Sequence, residues 1–224
     1  MMDMHIHIRN ILNDSSSIDD YILRLREYNC NNVCFLEHGE RISKKHSGYL
    51  VDVLTAKKLK EIVKNANKTY KDIKILSGIE IDYSSDNDFR DRTIKYLSRN
   101  NFDVVIGSVH SLKVNDASEY FYAVWDLINN YPINVLGHLK LRENWNDYVA
   151  LIEKIVILCK EHNVAIEINS SERSLWNEEQ FFYMLSLIDK YNVSYTIGSD
   201  SHSLEDIGVN YDILQKRLAN RGCK

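Results

Sequence analysis

Phe102-Asp-Val-Val-Ile-Gly-Ser-Val-His110 is a short apolar run that ends on a histidine. Its β-branched content and length suit one buried strand, and the polar residue marks where that strand leaves the core. The same pattern recurs along the chain. His5 and His7 close the first such run, His38 follows the second, and Glu80 lies in the third. His138 follows Val135-Leu-Gly137, and Asp200 and His202 follow Thr196-Ile-Gly198-Ser199. Landmarks at 7, 38, 80, 110, 138 and 200 are separated by 31, 42, 30, 28 and 62 residues, and Asn169 splits the last gap into two of 31. An interval of about thirty residues holds one strand, one helix and two loops.

Seven strands are expected, over 4–8, 33–36, 73–81, 102–109, 133–139, 164–168 and 193–197. Helical periodicity fills the gaps. Ser17 caps one helix with Asp20 three positions on, and a second starts near Thr55. Others are expected over 90–99, 119–129, 147–162, 178–190 and 204–218. Strand and helix alternate throughout, which predicts a parallel sheet with right-handed crossovers. A doubly wound open sheet is the competing architecture, but it would split the polar strand ends across a switch point. A seven-unit α/β barrel brings all of them to one rim, the C-terminal rim of its parallel strands.

The 224 residues are enough for such a barrel, and no linker or low-complexity tract divides them, so one domain over 1–224 is expected. Hydrophobic residues make up 44% and charged residues 27%, ordinary for a globular protein. A net charge of -4 offers no general attraction to nucleic acid or to anionic membranes. No run approaches the ~18 apolar residues of a membrane span, and the opening Met-Met-Asp-Met-His has no leader character. A cytoplasmic protein is expected, with reduced thiols at Cys30, Cys34, Cys159 and Cys223, which form no CxxC pair. The sequence carries no clear signal of oligomeric state.

Chemistry is concentrated at the strand ends. In a strand, residues two apart face the same side, so His5 and His7 can grip one cation. Glu80, within Gly78-Ile-Glu80-Ile-Asp82, is a carboxylate inside an apolar run and needs a metal, an arginine or water to face. Any one of the histidines alone would be read as a satisfied structural residue. Six of them with two acids at equivalent positions point to a site holding more than one metal ion. His46 and His162 lack this context; His162 is expected to end a helix, where a cation suits the dipole.

This ordered set, HxH, His38, Glu80, Gly-Ser-Val-His110, Gly-His138 and Asp200-Ser-His202, resembles the PHP (polymerase and histidinol phosphatase) domain family. The likeness is greatest to its monofunctional histidinol phosphatases, because Glu167-Ile-Asn169-Ser-Ser-Glu-Arg173 is similar to a motif whose arginine holds substrate phosphate. The resemblance implies a distorted (β/α)7 barrel, TIM-like, with two or three divalent metal ions. His5, His7, Glu80 and Asp200 would hold the first, and Glu80 would bridge to a second held by His110 and His138. His38 and His202 would hold a third. No histidine stands in the loop after the first strand, so Asn13 or Asp14 must complete that site, Asp14 being the expected ligand, or the site is weaker. Zinc, manganese and iron all suit mixed imidazole and carboxylate ligands.

The activity implied is hydrolysis of a phosphate monoester by in-line attack of a metal-bridging hydroxide. Its small-molecule substrate would be L-histidinol phosphate, as in histidine biosynthesis. Another phosphoester (a nucleotide, a phosphotyrosine or a nucleic-acid end) is the alternative. Glu80, Asp200 and His202 are the candidate catalytic residues, with His202 or a metal-bound water as proton donor. Arg173 would clamp phosphoryl oxygens. Lys113, Lys140 and Arg142 could add positive charge at the rim, and Glu143, Trp145, Glu172 and Trp176 lie near it in sequence. A barrel amidohydrolase also begins with HxH but lacks the final Asp-x-His. A purely structural metal site would not need so many ligands.

Overall fold

A computed structural model describes residues 1–13, 15–39, 53–110, 117–141 and 145–220. Among them, strands and helices alternate as the spacing predicts. The strands are β1 (Met2–His7), β2 (Asn32–Leu36), β3 (Lys74–Asp82), β4 (Val104–Ser108), β5 (Val135–Leu136), β6 (Ala165–Asn169) and β7 (Tyr195–Gly198). The helices are α1 (Arg9–Leu12), α2 (Ile18–Glu27), α3 (Val53–Thr69), α4 (Asn87–Arg99), α5 (Ala117–Asn130), α6 (Val149–Glu161), α7 (Glu178–Tyr191) and α8 (Tyr211–Ala219). The strands lie in chain order, each parallel to its neighbours. Past β7, Ser201 pairs with Ile6 of β1, and the His7 N–H donates to the Ser201 carbonyl at 2.9 Å. The sheet thus closes into a distorted (β/α)7 barrel.

Side-chain alternation divides the barrel interior into two zones. Met4, Cys34, Leu36, Val104, Ile106, Val135 and Ala165 form an apolar plug toward the N-terminal end. Further along the same strands the inward positions become Glu80, Ser108, Glu167 and Asn169, all buried. A second apolar layer, including Ile79, Leu127, Ile155, Phe181 and Leu214, packs the strands against the helices. β1 departs from strict alternation, its register with β2 shifting between Asp3 and Ile6. Three residues there span two on the partner, so Met4 joins the interior plug while His5 and His7 still serve the rim.

Local signals explain most boundaries. Ser17 and Asp20 form the expected capping box, and Asn177 with Gln180 forms another at α7. Asp86 caps α4 and starts it before the expected residue 90. Two expectations need correction. The fifth strand, expected over 133–139, is only two residues long. A Cβ at Gly137 would lie 2.5 Å from Ser108 Oγ, so the backbone is pressed against β4, and His138 turns to φ 22°. The last helix begins at Tyr211, not at 204, because Gly208 (φ 85°) and Asn210 (φ 58°) are left-handed and Asp206 caps a turn over His202 and Ser203. Cys30, Cys34 and Cys159 are free and buried, and Cys223 lies outside the described residues.

Candidate metal centre

Each landmark histidine and acid reaches the same end of the barrel. His5 and His7 come from β1, Glu80 from β3, His38, His110 and His138 from just past β2, β4 and β5, and Asp200 and His202 from just past β7. Glu80 is central. Its Oε2 lies 3.5 Å from both His5 Nε2 and His7 Nε2 and 2.7 Å from His38 Nδ1. Its Oε1 lies 3.0 Å from His138 Nε2 and 3.4 Å from His110 Nε2.

The first group is four-cornered. His5 Nε2 and His7 Nε2 are 3.2 Å apart, and Asp200 Oδ1 is 3.4 Å and 3.3 Å from them. With the two Glu80 distances, the five separations run from 3.2 to 3.5 Å. Bonds of about 2.0–2.1 Å in a tetrahedron place ligand atoms roughly 3.3–3.4 Å apart. The donor set therefore fits one divalent ion. A second group comprises Glu80, His110 and His138. A third brings His38 and His202 together, their Nε2 atoms 3.4 Å apart, with His7 as the further member. Asp14, expected to complete that third group, lies outside the described residues, and Asn13 is an exposed C-cap of α1.

Electrostatics support the fit. Glu80 is almost fully buried, with its Oε2 crowded by three imidazole nitrogens, and the buried ring atoms His7 Nδ1 and His110 Nδ1 have no hydrogen-bond partner. Lone pairs packed this closely out of water require positive charge among them. With protons alone supplying it, burial pulls His5 toward neutrality, but the carboxylates of Glu167, Asp200 and Glu80 outweigh it and hold its pKa well above the imidazole range. Burial likewise opposes ionisation of Glu80, but His110, His5, His38 and the His138 hydrogen bond hold it well below the carboxylate range. His202 is pushed down by burial and by the adjacent His7. Divalent ions would replace those protons.

Three buried acids support the donors. Glu167 Oε1 is 2.8 Å from His5 Nδ1, and its Oε2 accepts from the His138 backbone N–H at 2.7 Å. Asp3 accepts from the His5 N–H at 3.2 Å, the Ser199 N–H at 2.9 Å and the Tyr211 hydroxyl. Glu37 Oε2 faces His7 Nδ1 at 3.9 Å. None of these received a separate role from the sequence. The signal available was an acid next to, or two residues before, a landmark: Glu37 beside His38, Asp3 before His5 and Glu167 before Asn169. Backbone strain is also present: Asp200 at φ 53° and His138 at φ 22° occupy conformations unusual for side-chain-bearing residues.

Beside the donors lies a cavity of about 420 Å³ lined by Ser171, Glu172, Arg173, Asp200, His202 and Asp206. Arg173 and Glu172 are exposed in the loop after β6. Trp145 and Trp176, by contrast, are buried, and Trp176 Nε1 donates to the Leu139 carbonyl at 2.8 Å. Both indoles belong to the core and not to the rim. Lys140 is exposed and His162 caps the end of α6, as expected. His46, Lys113, Arg142 and Glu143 lie outside the described residues.

The family model of the PHP domain matches residues 3–171, from Asp3 before the HxH pair to the loop after β6. The chain belongs to the PHP domain family. It is 25% identical over 226 residues to a probable phosphatase of Caldicellulosiruptor bescii, covering 96% of this chain and 85% of the relative. A probable phosphatase of Clostridium botulinum is 32% identical over 146 residues, 62% of this chain and 56% of its own. Among solved structures, the fold matches histidinol phosphate phosphatase of Lactococcus lactis, crystallised with zinc, L-histidinol and phosphate, at TM-score 0.73. That match is 18% identical in sequence and covers 96% and 93% of the two chains. Among the described residues, no helix is long and apolar enough to cross a membrane.

Proposed function

We propose that this PHP-family chain is a metal-dependent phosphatase that hydrolyses a small phosphate monoester, L-histidinol phosphate. The observation that carries the reading is the close spacing of the donor atoms of His5, His7, Glu80 and Asp200, compatible with one small cation, beside a cavity lined by Arg173. Names of relatives and the Lactococcus complex agree with it.

In this reading His5, His7, Glu80 and Asp200 hold one divalent ion, and Glu80, His110 and His138 hold another. His38 and His202, with His7 beside them, are placed for a third. Zinc, manganese or iron fits these ligands. Divalent ions supply charge to phosphoryl oxygens and lower the pKa of water. The chain's own residues do the rest. Glu80 offers one oxygen to each neighbouring group and fixes their separation. Arg173, with its planar fork, orients the phosphoryl group toward the donors. His202, more than half exposed at the cavity, is the side chain placed to relay a proton through water when its Nε2 is not holding an ion.

Glu172 and Asp206 give the cavity wall negative charge. That matches the cationic amine of an amino alcohol phosphate and repels the additional phosphates of a nucleotide or nucleic-acid end. A phosphatase assay on metal-reconstituted protein tests the reading, with histidinol phosphate beside nucleotides, sugar phosphates and phosphotyrosine. Preference for histidinol phosphate is expected. Equal or faster release from another member of the set would reassign the substrate while leaving the metal chemistry in place.

A further inference from the structure

Glu167 sits at the middle of β6, fully buried, with strands that carry ligands on both sides. Three donors converge on its carboxylate. His5 Nδ1 lies 2.8 Å from Oε1, while the His138 backbone N–H at 2.7 Å and Asn169 Nδ2 at 3.1 Å share Oε2. The first contact fixes an imidazole; the second fixes a backbone turn. With Nδ1–H given to Glu167, His5 turns the lone pair of Nε2 toward His7, Glu80 and Asp200. With its N–H held, His138 keeps the unusual φ of 22° that aims its ring at Glu80.

The neighbouring strand has been cleared to allow this. A Cβ at Gly198 would lie 2.1 Å from Glu167 Oε1 and 2.7 Å from His5 Cβ. Any side chain there would displace the carboxylate from His5. Glycine at this position is thus a packing requirement of the Glu167–His5 contact.

We infer that Glu167 is a positioning residue shared by two metal groups, setting His5 of the first and His138 of the second through one carboxylate. It touches no ion and no substrate. The inference rests on the metal reading proposed above and adds a second coupling between its sites, beside the shared Glu80: disturbing Glu167 weakens both groups together, through His5 in one and His138 in the other.

Glu167→Gln is isosteric but supplies one acceptor where His5, His138 and Asn169 need two. Its amide N–H must then face either His5 Nδ1 or the His138 N–H. Facing His5, it favours the proton on Nε2, the atom aimed at the ion. Facing His138, it sets two donors against each other. Gly198→Ala provides a second variant that leaves every polar group in place.

The test is a zinc titration against a competing chelator, on wild type, E167Q and G198A, with circular dichroism as a check of folding. Nitrogen-15 NMR of the zinc-loaded proteins reports the His5 ring. Wild type is expected to bind at least two ions and to show a slowly exchanging His5 Nδ1–H. In E167Q, affinity at both groups falls by about 10- to 100-fold and that signal is lost; G198A shifts in the same direction. Wild-type affinity in E167Q, or loss of one ion with the other undisturbed, overturns the inference. Wild-type protein that takes up no zinc overturns the metal reading itself, a result obtained before any variant is made.

Discussion

Glu80 and His138, 58 residues apart in the chain, meet at 3.0 Å between Oε1 and Nε2, while the other Glu80 oxygen faces His5 and His7. One buried carboxylate thus stands between two sets of imidazoles. Glu80→Gln keeps the shape but removes the negative charge and one acceptor oxygen. Phosphate release should fall by at least about 100-fold, with loss of bound metal, since even residues that only support ligands cost 10–100-fold. Steady-state kinetics with metal analysis on the same sample checks this. A variant retaining both would remove Glu80 from the centre.

Arg173 is exposed and lines the same cavity as Asp200 and His202. Its replacement by alanine removes a charged hydrogen-bond donor from the phosphate without disturbing the metal groups. A charged hydrogen bond contributes about 1.5–3 kcal/mol, so kcat/KM should drop by roughly 10- to 150-fold at unchanged metal content. Lysine should restore part of the loss, because charge returns but the planar fork does not. Unchanged kcat/KM in R173A would take this side chain out of the substrate site.

Asp3 joins β1 to the segment after β7 and to α8 through His5, Ser199 and Tyr211. Tyr211→Phe leaves the ring packing intact but removes a buried donor from a buried acid. Stability should fall by about 1–3 kcal/mol, read from the midpoint of urea unfolding at constant m. An unchanged midpoint would show that the hydroxyl contributes nothing to closing the barrel.

The buried thiols should be inert in the folded state. Burial pushes Cys30 and Cys159 up to about 12, and Cys34 well above the usual thiol range. A raised thiol pKa means less thiolate at neutral pH, and thiolate is the reactive form. A colorimetric thiol reagent at pH 8 should therefore find these three only after denaturant is added. Rapid modification of the native protein at Cys30, Cys34 or Cys159 would contradict their burial.

The periodic spacing of polar strand ends made the barrel legible, because a parallel barrel converts a thirty-residue rhythm into a ring. HxH, His38, Glu80, His110, His138, Asp200 and His202 all reach that ring. Hidden from one-dimensional reading was what sets backbone direction. The register shift in β1 and the close approach at Gly137 depend on neighbouring strands, which spacing does not encode. The last helix misled because Leu204, Ile207 and Leu214 have helical periodicity, whereas Gly208 and Asn210 impose left-handed turns. Glu167 and Asp3 were visible as acids in apolar runs, but their partners are 162 and 208 residues away. Trp145 and Trp176 lay near rim motifs in sequence yet fold into the core, since adjacency does not give direction.

Ion content and phosphate release, followed on one preparation through chelation and reconstitution, test the account most directly. Stripping should abolish turnover of histidinol phosphate and lower the melting temperature, since an ion at a thousandfold excess over its Kd stabilises by about 4 kcal/mol. Restoring zinc or manganese should return both, with two or more ions per chain. Undiminished turnover by fully stripped protein, or a chain that never takes up ions, would contradict it.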